Sequence, residues 1–334
     1  MSSGVARPML RVAFAGAFPV RFADRVGAYL DVPCDVTVAD ERGIIAELSD
    51  VDVLVTSAFT GEMGAAARRL KLVQVPAAGV DRIDRSALPA GTWLANAFGH
   101  ETGIAEYVVG AMLAWSRGFC RLDASLRRGS WEGSWAAAAA PWPELAGKTL
   151  GVLGYGRIGQ CVAQRARAFE MAVWAIRRDP AGTDAHELAF LGGPDALDEV
   201  LRVADYLVVA LPLTAATRGL LGERQLRLMR PTAVLINVAR AEIVDEEALY
   251  RALTQGTIAG AALDVWYRYP ADACPTLPAR HAFHELSNVL MTPHVAGWTE
   301  GTVEARAKLI AENIRRVAHG ERPVNLVQEA LPGG

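Results

Sequence analysis

The sequence predicts an α/β protein built on doubly wound parallel sheets. Three observations predict it. Short apolar strands alternate with helical stretches along most of the 334 residues, a length that accommodates two domains of ordinary size. Hydrophobic residues make up 51% and charged residues 21%, the balance of a globular chain that buries a core. Between Thr149 and Asp179 a strand, a glycine-rich turn, an amphipathic helix and a second strand follow one another as a complete βαβ half-unit.

In chain order, apolar strands over 9–15, 35–38, 51–56 and 71–75 each precede a polar or helical stretch, which predicts a parallel α/β layer. The run 12–20 lies where a signal peptide would, but Gly16 and Pro19 interrupt it and its alternation is that of a strand. Strand 71–75 ends in Pro76-Ala77-Ala78-Gly79-Val80-Asp81. Ligands bind at the carboxyl ends of such strands, so these small residues either turn backbone N–H groups toward a carboxylate or form a plain turn before Ile83. A helix over 102–128 follows, with Ile104, Val108, Met112 and Trp115 at helical spacing. The alanine- and tryptophan-rich stretch 134–143 contains two prolines and reads as an extended connection or a dimer contact. Beyond Asp179, strands over 206–210, 233–236, 258–264 and 289–291 are separated by helices over 195–202, 223–229 and 245–254, as sequential βα units of one sheet. A last helix over 298–317 is long enough to return to the first domain.

Composition narrows the function classes. A formal net charge of −3 leaves no concentrated basic face for nucleic acid or an anionic membrane. Cys34, Cys120, Cys161 and Cys274 form no C-x-x-C pair, and the six histidines form no H-x-x-x-H pattern, so neither a metal site nor a disulfide framework is signalled. Reduced thiols suit a cytoplasmic protein.

The half-unit at 149–179 points to a dinucleotide. Gly154 permits the tight turn off the strand, Gly156 lets the backbone approach a pyrophosphate, and Gly159 lets helix and strand pack closely. The phosphates then face the free N–H groups of a helix that starts near Arg157. The end of the second strand selects the cofactor: a carboxylate there bonds the ribose 2'-hydroxyl of NAD, whereas a cation pairs with the 2'-phosphate of NADP. Arg177 and Arg178 occupy the position, which favours NADP(H), with NAD(H) possible because Asp179 is a competing acid and paired arginines also suit a solvated strand end.

Three later strand ends carry polar residues where apolar ones would be cheaper: the stretch from Asn237 through Arg240 to Asp245, then Asp264, then Thr292-Pro293-His294. Taken singly, Asn237 suits a turn, Asp245 an N-cap, and a histidine after proline a structural role. Together they put a guanidinium and an imidazole on one rim of the nucleotide-binding sheet. Hydride reaching a ketone carbon makes an alkoxide, which needs a proton from a group titrating near neutrality and a fixed cation for the developing charge.

The ordered motifs AAGVDRID (77–84), NAFGHETGIAEYVVGAML (96–113), GYGRIG (154–159), LPLTAAT (211–217), INVARAEIVDEEAL (236–249), GAALDV (260–265) and NVLMTPH (288–294) resemble the D-isomer-specific 2-hydroxyacid dehydrogenases. The resemblance implies two Rossmann-like domains, a nucleotide domain over 106–295 inserted into a discontinuous substrate domain over 1–105 and 296–334, with a cleft at their junction. It also implies roles. Arg240 resembles the arginine that holds the substrate carboxylate and polarises the keto oxygen, and His294 the acid/base. Ala78, Gly79 and Val80 would offer amides to the carboxylate. Gly154, Gly156, Arg157, Ile158 and Gly159 would hold the pyrophosphate, Val238, Ala239 and Asp264 the nicotinamide end, and Leu211, Pro212, Thr217 and Gly297 would complete the cofactor set. A homodimer is implied as well.

The departures bear on substrate. The family usually has Glu-Pro where this chain has Tyr269-Pro270, and that glutamate pairs with the histidine. Without it His294 is expected to titrate near the intrinsic value of about 6.5, unless Glu300 substitutes; Glu300 also reads as an ordinary first-turn helix residue. Formate dehydrogenases of the same superfamily also lack that glutamate and also read DVW. His100 replaces a usual Asn and Ala241 a usual Gly, which makes His100 and Tyr269 candidate substrate contacts. The leading expectation is NADPH-dependent reduction of a small 2-keto acid such as glyoxylate or hydroxypyruvate. The alternatives are hydride abstraction from another small anion and a non-catalytic dinucleotide sensor.

Overall fold

The computed structural model describes residues 9–270 and 274–329. Of these, the residues through Gly99 and from Glu300 onward form one compact unit and His100–Thr299 the other. The division falls six residues before 105/106 and four after 295/296, because Ile104, Ala105 and Ala296 are buried together in the second unit's core. The expected substrate domain also took in residues 1–8 and 330–334, which lie outside the described residues.

The first unit contributes strands Leu10–Ala15 (β1), Cys34–Ala39 (β2), Val53–Thr56 (β3), Leu72–Gln74 (β4) and Trp93–Ala95 (β5). The second contributes Thr149–Leu153 (β6), Ala172–Ile176 (β7), Phe190–Gly192 (β8), Tyr206–Val209 (β9), Val234–Asn237 (β10), Gly260–Leu263 (β11) and Val289–Met291 (β12). Leu326–Gln328 (β13) returns to the first unit.

The first sheet runs β13-β5-β4-β3-β1-β2, parallel except for β13, which lies antiparallel on β5. Alternate residues of β1 enter opposite cores, as a strand covered on both faces requires. Leu10, Val12 and Phe14 pack with Ile310, Ile314 and Val317 of helix Glu300–Ala318; Ala13 and Ala15 pack with Ile44, Leu54 and Met63.

The second sheet runs β12-β11-β10-β9-β6-β7-β8, parallel throughout. Its growth reverses at β6, which has β7 on one side and β9 on the other, and such a switch point opens a crevice at the strands' carboxyl ends. Leu207, Val209, Leu235 and Leu263 face one core, and Val208, Val234, Ile236 and Ala262 the other.

Several elements differ from expectation. The short strands β5, β8 and β13 were not expected from the sequence. The single helix over 102–128 is two, Glu101–Arg117 and Phe119–Leu126, because Gly118 adopts left-handed backbone (φ 59°) and a Cβ there would lie 2.8 Å from the Trp142 ring. Downstream, Trp142 Nε1 donates to Gly133 O at 3.0 Å, while Trp131 and Trp135 stand 66% and 92% exposed. Among the described residues no helix is long and apolar enough to cross a membrane.

A buried amide pair ties the C-terminal helix into the first sheet. Asn313 Nδ2 donates to Gln74 Oε1 at 2.7 Å and to Val324 O at 3.2 Å, and Asn313 Oδ1 accepts from Val324 N at 2.8 Å. Truncation strands buried partners, each costing about 1–3 kcal/mol. Asn313→Ala is therefore expected to lower the thermal unfolding midpoint of the first unit clearly, read by circular dichroism; an unchanged melt would show the pair contributes nothing.

Candidate active site

At the switch point the glycines have separable jobs. Gly154 holds φ +105°, and a Cβ on it would come within 2.6 Å of Ala210 O just beyond β9. A Cβ on Gly159 would meet Gly154 O at 2.2 Å. Both are required by the protein's own packing. Gly156 is not: nothing lies within 4 Å of where its Cβ would be, and it precedes helix Arg157–Ala168 in extended backbone. The space kept open at a helix N-terminus by that residue fits a pyrophosphate. Arg157 and Ile158 form the helix's first turn, and the N–H groups of Gly154 and Tyr155 bond Ile176 O at 3.0 and 2.8 Å, fixing the turn to the end of β7.

Just past β7, Arg177 is half-buried and its Nη1 lies 3.5 Å from Tyr155 O, while Arg178 is exposed. The Asp179 carboxylate accepts from Ala181 N at 3.1 Å within its own turn. Beyond β9, the Thr217 hydroxyl closes the 212–217 loop on itself, donating to Pro212 O at 2.7 Å and accepting from Thr214 N at 2.8 Å, and Leu211 packs on the core. The side chain of Thr217 thus shapes the loop.

The carboxyl ends of β10, β11 and β12 are adjacent in the sheet and carry Arg240, Asp264 and His294. Asn237 shapes the first loop: its Oδ1 accepts from Ala239 N at 3.1 Å and its Nδ2 donates to Arg240 O at 3.0 Å, which sets the backbone from Val238 to Arg240. Arg240 Nη1 donates to Ala239 O at 2.9 Å.

Asp264 is buried, and its carboxylate is occupied by the protein itself. Oδ1 accepts from the Thr292 hydroxyl at 2.6 Å and from Val295 N at 2.9 Å; Oδ2 accepts from Ala296 N at 2.9 Å. Its part is to strap down the loop that carries His294, a contribution the sequence did not disclose. Tyr107 reinforces the strap, donating to the Thr292 hydroxyl at 2.7 Å, and burial pushes the Tyr107 phenol up to about 12. Trp266 Nε1 donates to Thr292 O at 2.8 Å. Thr292 stood out only as a polar strand end, and its bond to Tyr107 was not identified from sequence, since nothing local marks a bond between residues 185 positions apart.

His294 sits on this strap in left-handed backbone, φ 58°, uncommon for a residue with a Cβ and a frequent mark of functional positions. Its Nδ1 is 2.8 Å from Tyr269 Oη, and Trp266 N–H donates to that same oxygen at 3.2 Å. The Tyr269 phenol is held above its usual range, first by desolvation of the hydroxyl, although about half the residue's surface (51%) is exposed. Of the two candidates for the missing glutamate's place, Tyr269 is bonded to the histidine; Glu300 begins the last helix and belongs to the other unit.

The remaining candidates lie as follows. His100 is buried, precedes helix Glu101–Arg117, and accepts from Ile104 N through its carbonyl at 3.0 Å; Gly297 adjoins it, so closely that a Cβ would be 3.3 Å from His100 Cβ. Ala78, Gly79 and Val80 belong to the first unit, in a turn where Ile83 N donates to Val80 O at 3.1 Å and Asn96 Nδ2 donates to Ala78 O at 2.8 Å. Among the described residues no group of three or more His, Cys, Asp or Glu side chains could hold a metal ion.

A dinucleotide turn at the switch point, with a guanidinium and a braced imidazole on the same rim, defines a nucleotide-binding α/β enzyme. Residues 109–296 match the model of the D-isomer specific 2-hydroxyacid dehydrogenase, NAD binding domain. A glyoxylate reductase from Thermococcus gammatolerans is 36% identical over 296 residues, covering 86% of each chain. Among solved structures, an NADPH-dependent glyoxylate/hydroxypyruvate reductase from Sinorhizobium meliloti in complex with NADP and malonate superposes with a TM-score of 0.79 at 28% identity, over 98% of this chain and 99% of that one. An acyclic imino acid reductase in complex with NADPH and D-Arg gives a TM-score of 0.79 at 26% identity, over 96% and 100%. The chain belongs to the D-isomer specific 2-hydroxyacid dehydrogenase family, as a 2-hydroxyacid oxidoreductase with an NAD(P)-binding domain.

Proposed function

We propose that this chain reduces a small 2-keto acid, with glyoxylate and hydroxypyruvate the leading members, to the D-2-hydroxy acid at the expense of NADPH. The observation that carries this reading is the set of three adjacent strand ends bearing Arg240, Asp264 and His294 beside the glycine turn. The names of the Thermococcus and Sinorhizobium relatives support the substrate class. The bound dinucleotide supplies the hydride. Arg240 holds the carboxylate and polarises the carbonyl, its charge fixed through the pH range and so available as negative charge develops. His294 delivers the proton to the forming alkoxide. The N–H groups of Gly79 and Val80, together with Ala78, receive the substrate carboxylate in this reading, with His100 a further polar contact.

NADPH preference is supported by Arg177 and Arg178 at the end of β7 and by the engagement of the competing acid, Asp179, in its own turn. The exposed Trp131 and Trp135 support a homodimer formed through the 130s segment. Cys34, Cys120 and Cys161, none of them in a disulfide, support a cytoplasmic location.

The first test is oxidation of NADPH, and separately NADH, at saturating 2-keto acids near neutral pH. Turnover with NADPH supports the reading; formate oxidation without keto acid reduction would overturn it. Arg240→Gln is expected to reduce kcat/KM by about 10²-fold or more, as loss of a charge-stabilising donor does, with NADPH binding retained by fluorescence titration. Arg177→Asp is expected to weaken NADPH binding at least tenfold and to relieve discrimination against NADH, and an unchanged preference would remove Arg177 from the cofactor site. Sedimentation equilibrium should give twice the chain mass, and a monomer would contradict the dimer.

A further inference from the structure

We propose that Tyr269 is a positioning residue that holds neutral His294 as its Nε2–H tautomer, so that the imidazole offers the substrate oxygen a donor. The inference rests on the reading of His294 as the acid/base. The argument is one of hydrogen counting. A phenol has one hydrogen and two lone pairs. The Trp266 amide can only donate, so at 3.2 Å it occupies a lone pair of Tyr269 Oη. That leaves the phenol hydrogen for the other neighbour, His294 Nδ1 at 2.8 Å, the acceptor in this assignment. An imidazole that accepts at Nδ1 carries its hydrogen on Nε2.

The arrangement is rigid at both ends. Trp266 is fixed through its indole to Thr292 O, on the strap that carries His294, so phenol and imidazole are referenced to the same residue. Tyr269 also behaves unlike a carboxylate in that position. A carboxylate only accepts; it selects the Nδ1–H form and supports the imidazolium with its charge. The phenol donates to the neutral ring, and by rotating its O–H it can accept from the protonated ring through its second lone pair, without changing its own charge. Its ionisation is opposed by burial and by the Asp264 and Glu242 carboxylates, and assisted by Arg240. The same hydroxyl thus serves both protonation states of His294: the neutral ring donates a hydrogen bond from Nε2–H to the carbonyl, and the imidazolium, formed when Nδ1 takes a proton and the phenol turns to accept from it, is the form that gives its Nε2 proton to the alkoxide and leaves a neutral ring.

The test is the imidazole ¹⁵N spectrum of the full-length protein labelled in histidine, recorded about two pH units above the ordinary histidine range near 6.5. His294→Asn identifies the resonance. The wild type is expected to show Nε2–H with Nδ1 shifted as a bonded acceptor. Tyr269→Phe should move Nδ1 to the position of an unbonded acceptor. Tyr269→Glu should invert the tautomer to Nδ1–H and raise the pH limb of keto acid reduction by about one unit or more. An Nδ1–H tautomer in the wild type, or an Nδ1 resonance unmoved by Tyr269→Phe, would overturn the proposal. Because the spectra need no turnover, that failure is distinct from failure of the functional reading, which full activity in His294→Asn would bring about.

Discussion

The candidate site depends on one buried carboxylate. Asp264 ends β11, and its two oxygens collect three donors from the chain just past β12. A carboxylate taken out of water is tolerable only when its lone pairs are met, and losing one donor leaves a charge that the interior cannot solvate. The loop from Thr292 to Ala296 is therefore held by a penalty for leaving as much as by attraction. Thr292 is secured at every polar atom: its N–H bonds Leu263 O at 3.0 Å, its carbonyl receives the Trp266 indole, and its hydroxyl joins Asp264 to Tyr107. Such a network holds the left-handed backbone of His294, which isolated peptide geometry would disfavour.

Topology supplies the rest. Because β10, β11 and β12 are sequential and parallel, their carboxyl ends arrive side by side, and each delivers one element: a cation set by Asn237, an anchor, and an imidazole set by that anchor. The glycine turn lies further along the same rim, between β6 and β9, where the order of strands reverses. Two independent constraints meet there, the close packing that needs Gly154 and Gly159 and the open approach that Gly156 leaves.

Much of this was legible in the sequence. Most strands of the two sheets were read from apolar runs, and the βαβ half-unit from its glycine spacing, since buried parallel strands and phosphate turns impose composition on contiguous residues. Arg240 and His294 stood out as polar residues at strand ends. What escaped was everything decided by partners distant in sequence. The three-residue strands β5, β8 and β13 exist through pairing. The break at Gly118 makes room for Trp142, which a helical pattern over 102–128 cannot reveal. Asp264 was expected at the nicotinamide, and its internal duty emerged only with its donors in place.

The left-handed turn at His294 constrains inheritance as well as chemistry. A position with φ 58° admits glycine and asparagine readily and β-branched residues hardly at all. A descendant of this chain that abandoned the acid/base while keeping its loop would therefore drift toward Asn or Gly there, and valine or isoleucine would be purged whatever the protein's activity. Loss of the imidazole and loss of the loop are thus separate evolutionary events, each with its own signature at this codon.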